Sequence, residues 1–157
     1  MLSAGDVMER NVLAVSPEMT LAALEDFLIS NRISGAPVIE DGALVGIVSR
    51  SDLVRSLSLE RSLSGLIADG LASPEEGEAP VRLPAYTRAQ LAARTVRDVM
   101  VGDPVTVSAG TPIAEVARLL DGRHIHRVLV VEGKTVRGVI STLDLVRLIA
   151  EGTLREA

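Results

Sequence analysis

The 157-residue chain has no cysteine and no tryptophan, and Phe27 and Tyr86 are its only aromatic residues. Without thiols it can build neither a disulfide framework nor a thiolate metal site, and its redox compartment is left open. With so few rings it lacks the stacking platforms on which single-stranded nucleic acid is held. An excess of positive charge is missing too. The 16 Lys and Arg stand against 21 Asp and Glu, a formal net charge of -5 with pI near 5.1, which disfavours nucleic acid as a partner. No apolar run reaches the ~18 residues needed to span a bilayer. The first residues, with Asp6, Glu9 and Arg10, hold no apolar signal-peptide segment. The expectation is a soluble, cytoplasmic protein with no membrane partner. A composition of 47% hydrophobic and 24% charged residues is globular, long enough for one compact domain or two small halves sharing a core.

What the chain does have is a duplication. Gly46-Ile47-Val48-Ser49-Arg50-Ser51-Asp52-Leu53-Val54-Arg55 returns 92 positions later as Gly138-Val139-Ile140-Ser141-Thr142-Leu143-Asp144-Leu145-Val146-Arg147. The register holds without a gap from Asp6 to Arg55. It sets Asp6-Val7-Met8 on Asp98-Val99-Met100, Val15-Ser16 on Val107-Ser108, Ile33 on Ile125 and Val38 on Val130. Each copy of the motif reads as a buried strand that breaks at a serine and restarts as a helix with Asp in its first turn. Ser-x-x-Asp admits two readings. As a capping box, serine and carboxylate satisfy orphan amides at the helix start. As a binding element, the same amides favour an anion and the carboxylate accepts hydrogen bonds from a ribose diol.

Taken in order, Ser3 to Met8 predicts a short lead-in helix, Val12 to Val15 a strand, and Thr20 to Asn31 an amphipathic helix with Leu21, Leu24, Phe27 and Leu28 facing the core. Ala36 to Ile39 and Leu44 to Val48 predict strands joined in a hairpin by Glu40-Asp41-Gly42, with helix from Arg50. The second repeat gives the same order, with Thr111-Pro112 as helix cap and first helical residue. The expected class is α/β, each repeat β-α-β-β-α, with short mixed sheets covered by helices. Residues 1–64 form the first repeat, 65–94 a connector and 95–157 the second. Helix-like sequence continues from Ser58 to Leu71, across the end of the first repeat into the connector. Ser73 to Pro80 reads as an acidic loop, and Tyr86 to Arg94 as a helical turn or two.

Arg123-His124-Ile125-His126-Arg127 gathers four cationic or potentially cationic groups where a helix hands over to a strand. On an extended backbone His124 and His126 face one side, which raises a His-x-His metal site. Zinc needs further ligands, and no other histidine exists. A solvated turn and a phosphate-binding corner are the other two readings, since arginine's planar fork matches phosphate oxygens. Neither a nucleophile elbow nor a Gly-x-x-x-x-Gly-Lys phosphate loop is present, so no enzyme and no metal cofactor is expected.

Through Asp-Val-Met, Ser34-Gly35-Ala36-Pro37-Val38 and the two Gly-x-x-Ser-x-x-Asp segments, the sequence resembles the CBS domain family, outside roughly Ser56 to Thr95. In that family two repeats pair, with pseudo-twofold symmetry, into a Bateman module that binds adenosine-containing ligands. The resemblance implies a regulatory module that binds an adenine nucleotide, AMP, ADP or ATP, in clefts between the repeats and passes occupancy to an unknown effector protein. It also implies two sites. Ser49 and Asp52 would share one with Ile125, His126, Arg127 and Met100, and a His-Arg pair at the position of His126-Arg127 contacts phosphate within the family. Ser141 and Asp144 would share the other with Ile33, Ser34, Gly35 and Met8, a corner with fewer cations. The resemblance further implies a homodimer, with Leu53, Val54, Val146 and Ile149 at its seam. A ligand-free dimerisation or scaffold module, with the motifs acting only as caps, is the alternative.

Overall fold

A computed structural model describes residues 1–58 and 85–154; the expected helix beyond Ser58 and the acidic loop from Ser73 to Pro80 lie outside the described residues. The first repeat gives α1 (Ala4–Val7), α2 (Leu21–Asn31), β1 (Gly35–Glu40), β2 (Ala43–Ser49) and α3 (Arg50–Ser58). The connector contributes α4 (Ala85–Ala92). The second repeat gives α5 (Val96–Val99), β3 (Thr106–Val107), α6 (Ile113–Gly122), β4 (Arg127–Glu132), β5 (Thr135–Ser141) and α7 (Thr142–Ala150). β1 and β2 form a two-stranded sheet. In the mixed sheet β3-β4-β5, β3 runs parallel to β4 and β4 antiparallel to β5. The α/β class and the tandem organisation are as the sequence implies.

The polypeptide divides into two compact units, and their boundaries cut across the repeats. One unit holds Met1–Leu13, Glu40–Val45 and the described residues from 103 onward; the other holds Ala14–Ile39 and the described residues of 46–102. Each lead-in helix is thereby built into the unit that carries the other repeat's main sheet. In the first unit Ala4 and Gly5 donate to Thr111 and Ala109 carbonyls at 2.8 Å, and Glu9 and Val139 exchange backbone bonds at 2.9 and 3.0 Å. In the second, Val96 donates to Met19 at 2.8 Å, while Ile47 and Val101 exchange bonds at 3.0 and 2.9 Å.

Ala4, Met8, Val107, Ile113, Val116, Leu120, Val128, Val130 and Ile140 form the core of the first unit. In the second unit Leu21, Leu24, Leu28, Val38, Val48, Leu53, Leu91 and Val96 are buried, so Leu21, Leu24 and Leu28 of α2 point inward as the sequence predicts, whereas Phe27, expected beside them, is half-buried and Glu25 is buried instead. The β1-β2 turn puts Asp41 (φ 51°) and Gly42 (φ 78°) in the left-handed region that a tight two-residue hairpin requires. α4 docks on α2, where Arg88 pairs with Glu25 at 2.9 Å and Asp26 at 3.0 Å while Thr87 and Leu91 are buried.

Several expectations are corrected. The strand at Val12 to Val15 shrinks to one bridged residue, Val15, parallel to Val38, because the chain leaves one unit for the other at Leu13. Pro112 is the N-cap of α6 rather than its first helical residue, with extended-type angles (φ -58°, ψ 140°). The Thr111 hydroxyl instead accepts from the Ser108 amide at 3.2 Å. Pro112 stands where the first repeat has Thr20, whose hydroxyl does cap α2 by accepting from Ala23 at 3.1 Å. Leu53, expected at a seam, is 2% exposed and belongs to the core of its own unit, whereas Val54, Val146 and Ile149 are exposed.

Candidate functional site

Among the described residues four Ser/Thr-x-x-Asp segments start helices. At Ser3–Asp6 and Thr95–Asp98, on the short lead-in helices, the carboxylate accepts the cap amide at 2.9 Å in both cases and lies exposed. Those bonds hold both carboxyls below the ordinary aspartate range. At Asp6 the Ser3 hydroxyl is the larger cause; at Asp98 it is the Thr95 amide.

The motif segments share this geometry but not this exposure. Asp52 Oδ2 accepts from the Ser49 amide at 2.7 Å and from its hydroxyl at 3.1 Å. Asp144 Oδ2 accepts from the Ser141 amide at 2.8 Å and hydroxyl at 2.7 Å, and the Asp144 amide returns a bond to Ser141 Oγ at 3.2 Å. The capping reading is therefore correct as geometry. Yet the Asp52 side chain is only 6% exposed and that of Asp144 only 22%, and in each the second oxygen, Oδ1, has just an arginine on the next turn, Arg55 at 3.5 Å or Arg147 at 3.6 Å. A shielded carboxylate with one oxygen free of a close hydrogen bond is costly for a cap alone, and suited to a diol or amine donor.

The glycine that opens each motif has a role that sequence reasoning missed. A Cβ at Gly138 would stand 2.6 Å from Met8 Sδ and 2.8 Å from its Cβ; at Gly46 it would meet the Val101 carbonyl at 2.8 Å and Met100 Sδ at 3.0 Å. Each lead-in methionine thus crosses the strand that ends at a candidate serine, and glycine is needed for the approach. A glycine in the middle of a strand, at the same place in both repeats, was the available signal. Met100 thus lies against the strand that leads to Ser49 and Asp52, and Met8 against the strand that leads to Ser141 and Asp144.

Each motif helix is also tied to the helix-to-strand corner of its own repeat. The Arg50 amide donates to the Ser34 carbonyl and the Thr142 amide to that of His126, both at 2.9 Å. In the second unit, Ile33, Ser34, Gly35, Ser49, Asp52 and Met100 therefore belong to one neighbourhood. In the first, Met8, Ile125, His126, Arg127, Ser141 and Asp144 form its counterpart. The expected groupings draw on both units. Ser34 and His126 are exposed, Gly35 is buried, and Ile33, Ile125 and Arg127 are half-buried. Desolvation pulls the Arg127 pKa down, but a guanidinium stays charged at neutral pH. His124 is left-handed (φ 52°), so the extended backbone assumed for a His-x-His pair is absent. No group of three or more potential metal ligands occurs among the described residues, and none of their helices is long and apolar enough to cross a membrane.

Comparison with known proteins gives the arrangement its context. The chain is 29% identical over 155 residues to a zinc metalloprotease of Methanocaldococcus jannaschii, covering 99% of this chain and 34% of that protein. It spans about a third of the length of the first curated relatives it matches. The crystal structure of CBSX2 in complex with AMP superposes with TM-score 0.72 at 25% identity, over 98% of this chain and 100% of the other. The CBS domain pair of protein MJ0100, solved with 5′-methylthioadenosine and S-adenosyl-L-methionine, gives 0.71 at 18% identity, over 97% and 98%, a likeness of fold. The CBS domain family matches twice, at residues 4–59 and 96–151, and the chain belongs to that family.

Proposed function

We propose that this chain is a regulatory binding module for an adenine nucleotide of the AMP, ADP or ATP class, rather than an enzyme, and that it passes occupancy to a partner protein. The observation that carries the reading is the contrast among the four boxes: the two carboxylates of the motif are shielded and keep one oxygen available, while the two lead-in carboxylates are exposed caps. In this reading Asp52 and Asp144 accept from ribose hydroxyls. The helix N-termini that follow Ser49 and Ser141 add amides suited to an anion. Half-buried Arg127, with His126 beside it, supplies phosphate recognition, for which the first repeat has only Ser34 and Gly35. Ile33, Ile125, Met8 and Met100 offer the aliphatic wall against which a base packs in a chain so poor in aromatics. The AMP complex of a relative at 25% identity supports the ligand class.

The test is mass spectrometry of small molecules released on denaturing the purified protein, paired with thermal unfolding in added AMP, ATP and adenosine. Release of an adenine nucleotide, or a rise in Tm with AMP or ATP, is the expected result. A protein that carries nothing and is stabilised by none of the three is a ligand-free scaffold.

A further inference from the structure

We infer that α4 is a two-state latch whose docking on α2 is linked to occupancy of the site that contains Asp52, a step that rests on the nucleotide reading above. The seat for this latch exists in one repeat only. Arg88 of α4 bonds Glu25 at 2.9 Å and Asp26 at 3.0 Å, whereas the aligned positions of the second repeat, 92 residues on, carry Ala117 and Arg118. The acid pair therefore belongs to this contact and not to the repeat. The contact also opposes its own formation. Thr87, on the same helix, is 1% exposed, and its hydroxyl has no hydrogen-bond partner among the described residues. Water satisfies that hydroxyl when α4 is released, and docking removes the water without a replacement. Glu25, 3% exposed, adds the desolvation of a charge. At 8 residues α4 is too short to hold its helix alone in water, so release also melts it.

Two connections tie the latch to Asp52. Arg94, just past the end of α4, donates to the Ser56 carbonyl at 3.2 Å, in the last turn of α3, and the first turn of that helix holds Asp52. From Thr95 the chain runs directly into α5, and Met100 at its end packs against Gly46 in β2, the strand that leads to Ser49. The Arg94 carbonyl in turn accepts from the Leu21 amide at 2.9 Å, where α2 begins. The end of the connector thus grips both elements that position Ser49 and Asp52. A ligand that orders those elements favours the docked latch, and the docked latch favours the ligand by the same factor. The competing account is that α4 is static packing, which a ligand does not move.

Hydrogen exchange of the α4 backbone with and without AMP, together with calorimetric titration of AMP, separates the two accounts in the parent, Arg88→Met, Thr87→Val and the double variant. AMP should slow α4 exchange in the parent by about fivefold, the low end of ordinary coupling between sites, and by reciprocity a protein with α4 released binds AMP about fivefold more weakly at the Asp52 site. Arg88→Met should accordingly speed α4 exchange and weaken AMP binding. Thr87→Val puts a methyl in place of the orphaned hydroxyl, so it should slow α4 exchange without ligand and, added to Arg88→Met, recover part of the affinity. It tests the linkage in a more stable protein, so loss of the fold cannot imitate the result. Measured in Asp52→Asn, the affinity left at the site that contains Asp144 should not respond to Arg88→Met. A parent that binds AMP with no change in α4 exchange overturns this inference alone. So does an Arg88→Met variant that releases α4 yet binds AMP like the parent, or a Thr87→Val variant whose α4 exchanges no more slowly than the parent's. A parent that binds no AMP overturns the nucleotide reading and this one with it.

Discussion

Removing Arg88 tests how the connector is held to the first repeat. Its guanidinium bonds Glu25 Oε2 at 2.9 Å through Nη1 and Asp26 Oδ2 at 3.0 Å through Nη2, across more than sixty residues of sequence. The Glu25 side chain is 4% exposed, those of Arg88 and Asp26 31% and 43%. The Asp26 contact is largely screened and adds under about 1 kcal/mol. The Glu25 contact carries the effect, because a buried charge that loses a partner bears its desolvation cost uncompensated. Glu25 has a further interaction besides this one, which sets the loss for Arg88→Met near the hydrogen-bond range of about 1.5–3 kcal/mol rather than the full penalty of an orphaned charge. The duplication supplies the control. At the position of Glu25, α6 carries Ala117, so alanine is compatible with this helix. Glu25→Ala should therefore cost less than Arg88→Met, and adding it to Arg88→Met should restore stability instead of lowering it further. Urea unfolding of the parent, both single variants and the double variant gives the coupling energy, expected at about 1–2 kcal/mol. Additive losses, with coupling near zero, would refute the view that α4 is fastened by this pair.

Further outcomes follow from other contacts. Gly138→Ala forces a Cβ into Met8 and should destabilise by about 1–3 kcal/mol in denaturant titration, whereas Gly122→Ala, with open space around it and no left-handed backbone, meets no such clash. Asp6 and Asp98 are held below the ordinary aspartate range, so the unfolded chain binds more protons in that window. Their stabilisation is present above about pH 4 and is lost as pH falls through the folded values. Acid unfolding of Asp6→Asn should accordingly be shallower below pH 4 than that of the parent. On α7, Leu143, Val146 and Ile149 lie exposed at helical spacing. A homodimer through that face predicts a parent that sediments as a dimer at micromolar concentration and a Val146→Glu variant that is monomeric; a monomeric parent rules it out.

The sequence made local features legible where one short segment decides them. Asp41-Gly42 announces a tight hairpin, and the spacing of Leu21, Leu24 and Leu28 an inward helix face, and each rests on contacts within a few residues. The candidate site was legible through duplication, since one Ser-x-x-Asp alone is indistinguishable from the caps at Ser3 and Thr95. What stayed hidden depends on partners far apart in the chain. The crossing of Met8 over Gly138 joins residues more than a hundred positions apart, and no periodicity encodes it. Leu53 and Val54 are equally apolar neighbours, and only packing decides that the first is core and the second surface. Glu25 is buried against Arg88, a partner in the connector that nothing within α2 signals.

The central claim, that the shielded carboxylates serve a ligand and not only a helix start, is tested most directly by calorimetric titration of AMP into the parent, Asp52→Asn and Asp144→Asn. Asparagine keeps an acceptor for the Ser49 or Ser141 amide, so each variant should lose no more than about 1 kcal/mol of stability. The bond to a ribose hydroxyl loses its charge, worth about 1.5–3 kcal/mol, so AMP should bind at least tenfold more weakly at one site in each variant. Variants that bind AMP as the parent does, and differ from it only in stability, would return both motifs to helix caps.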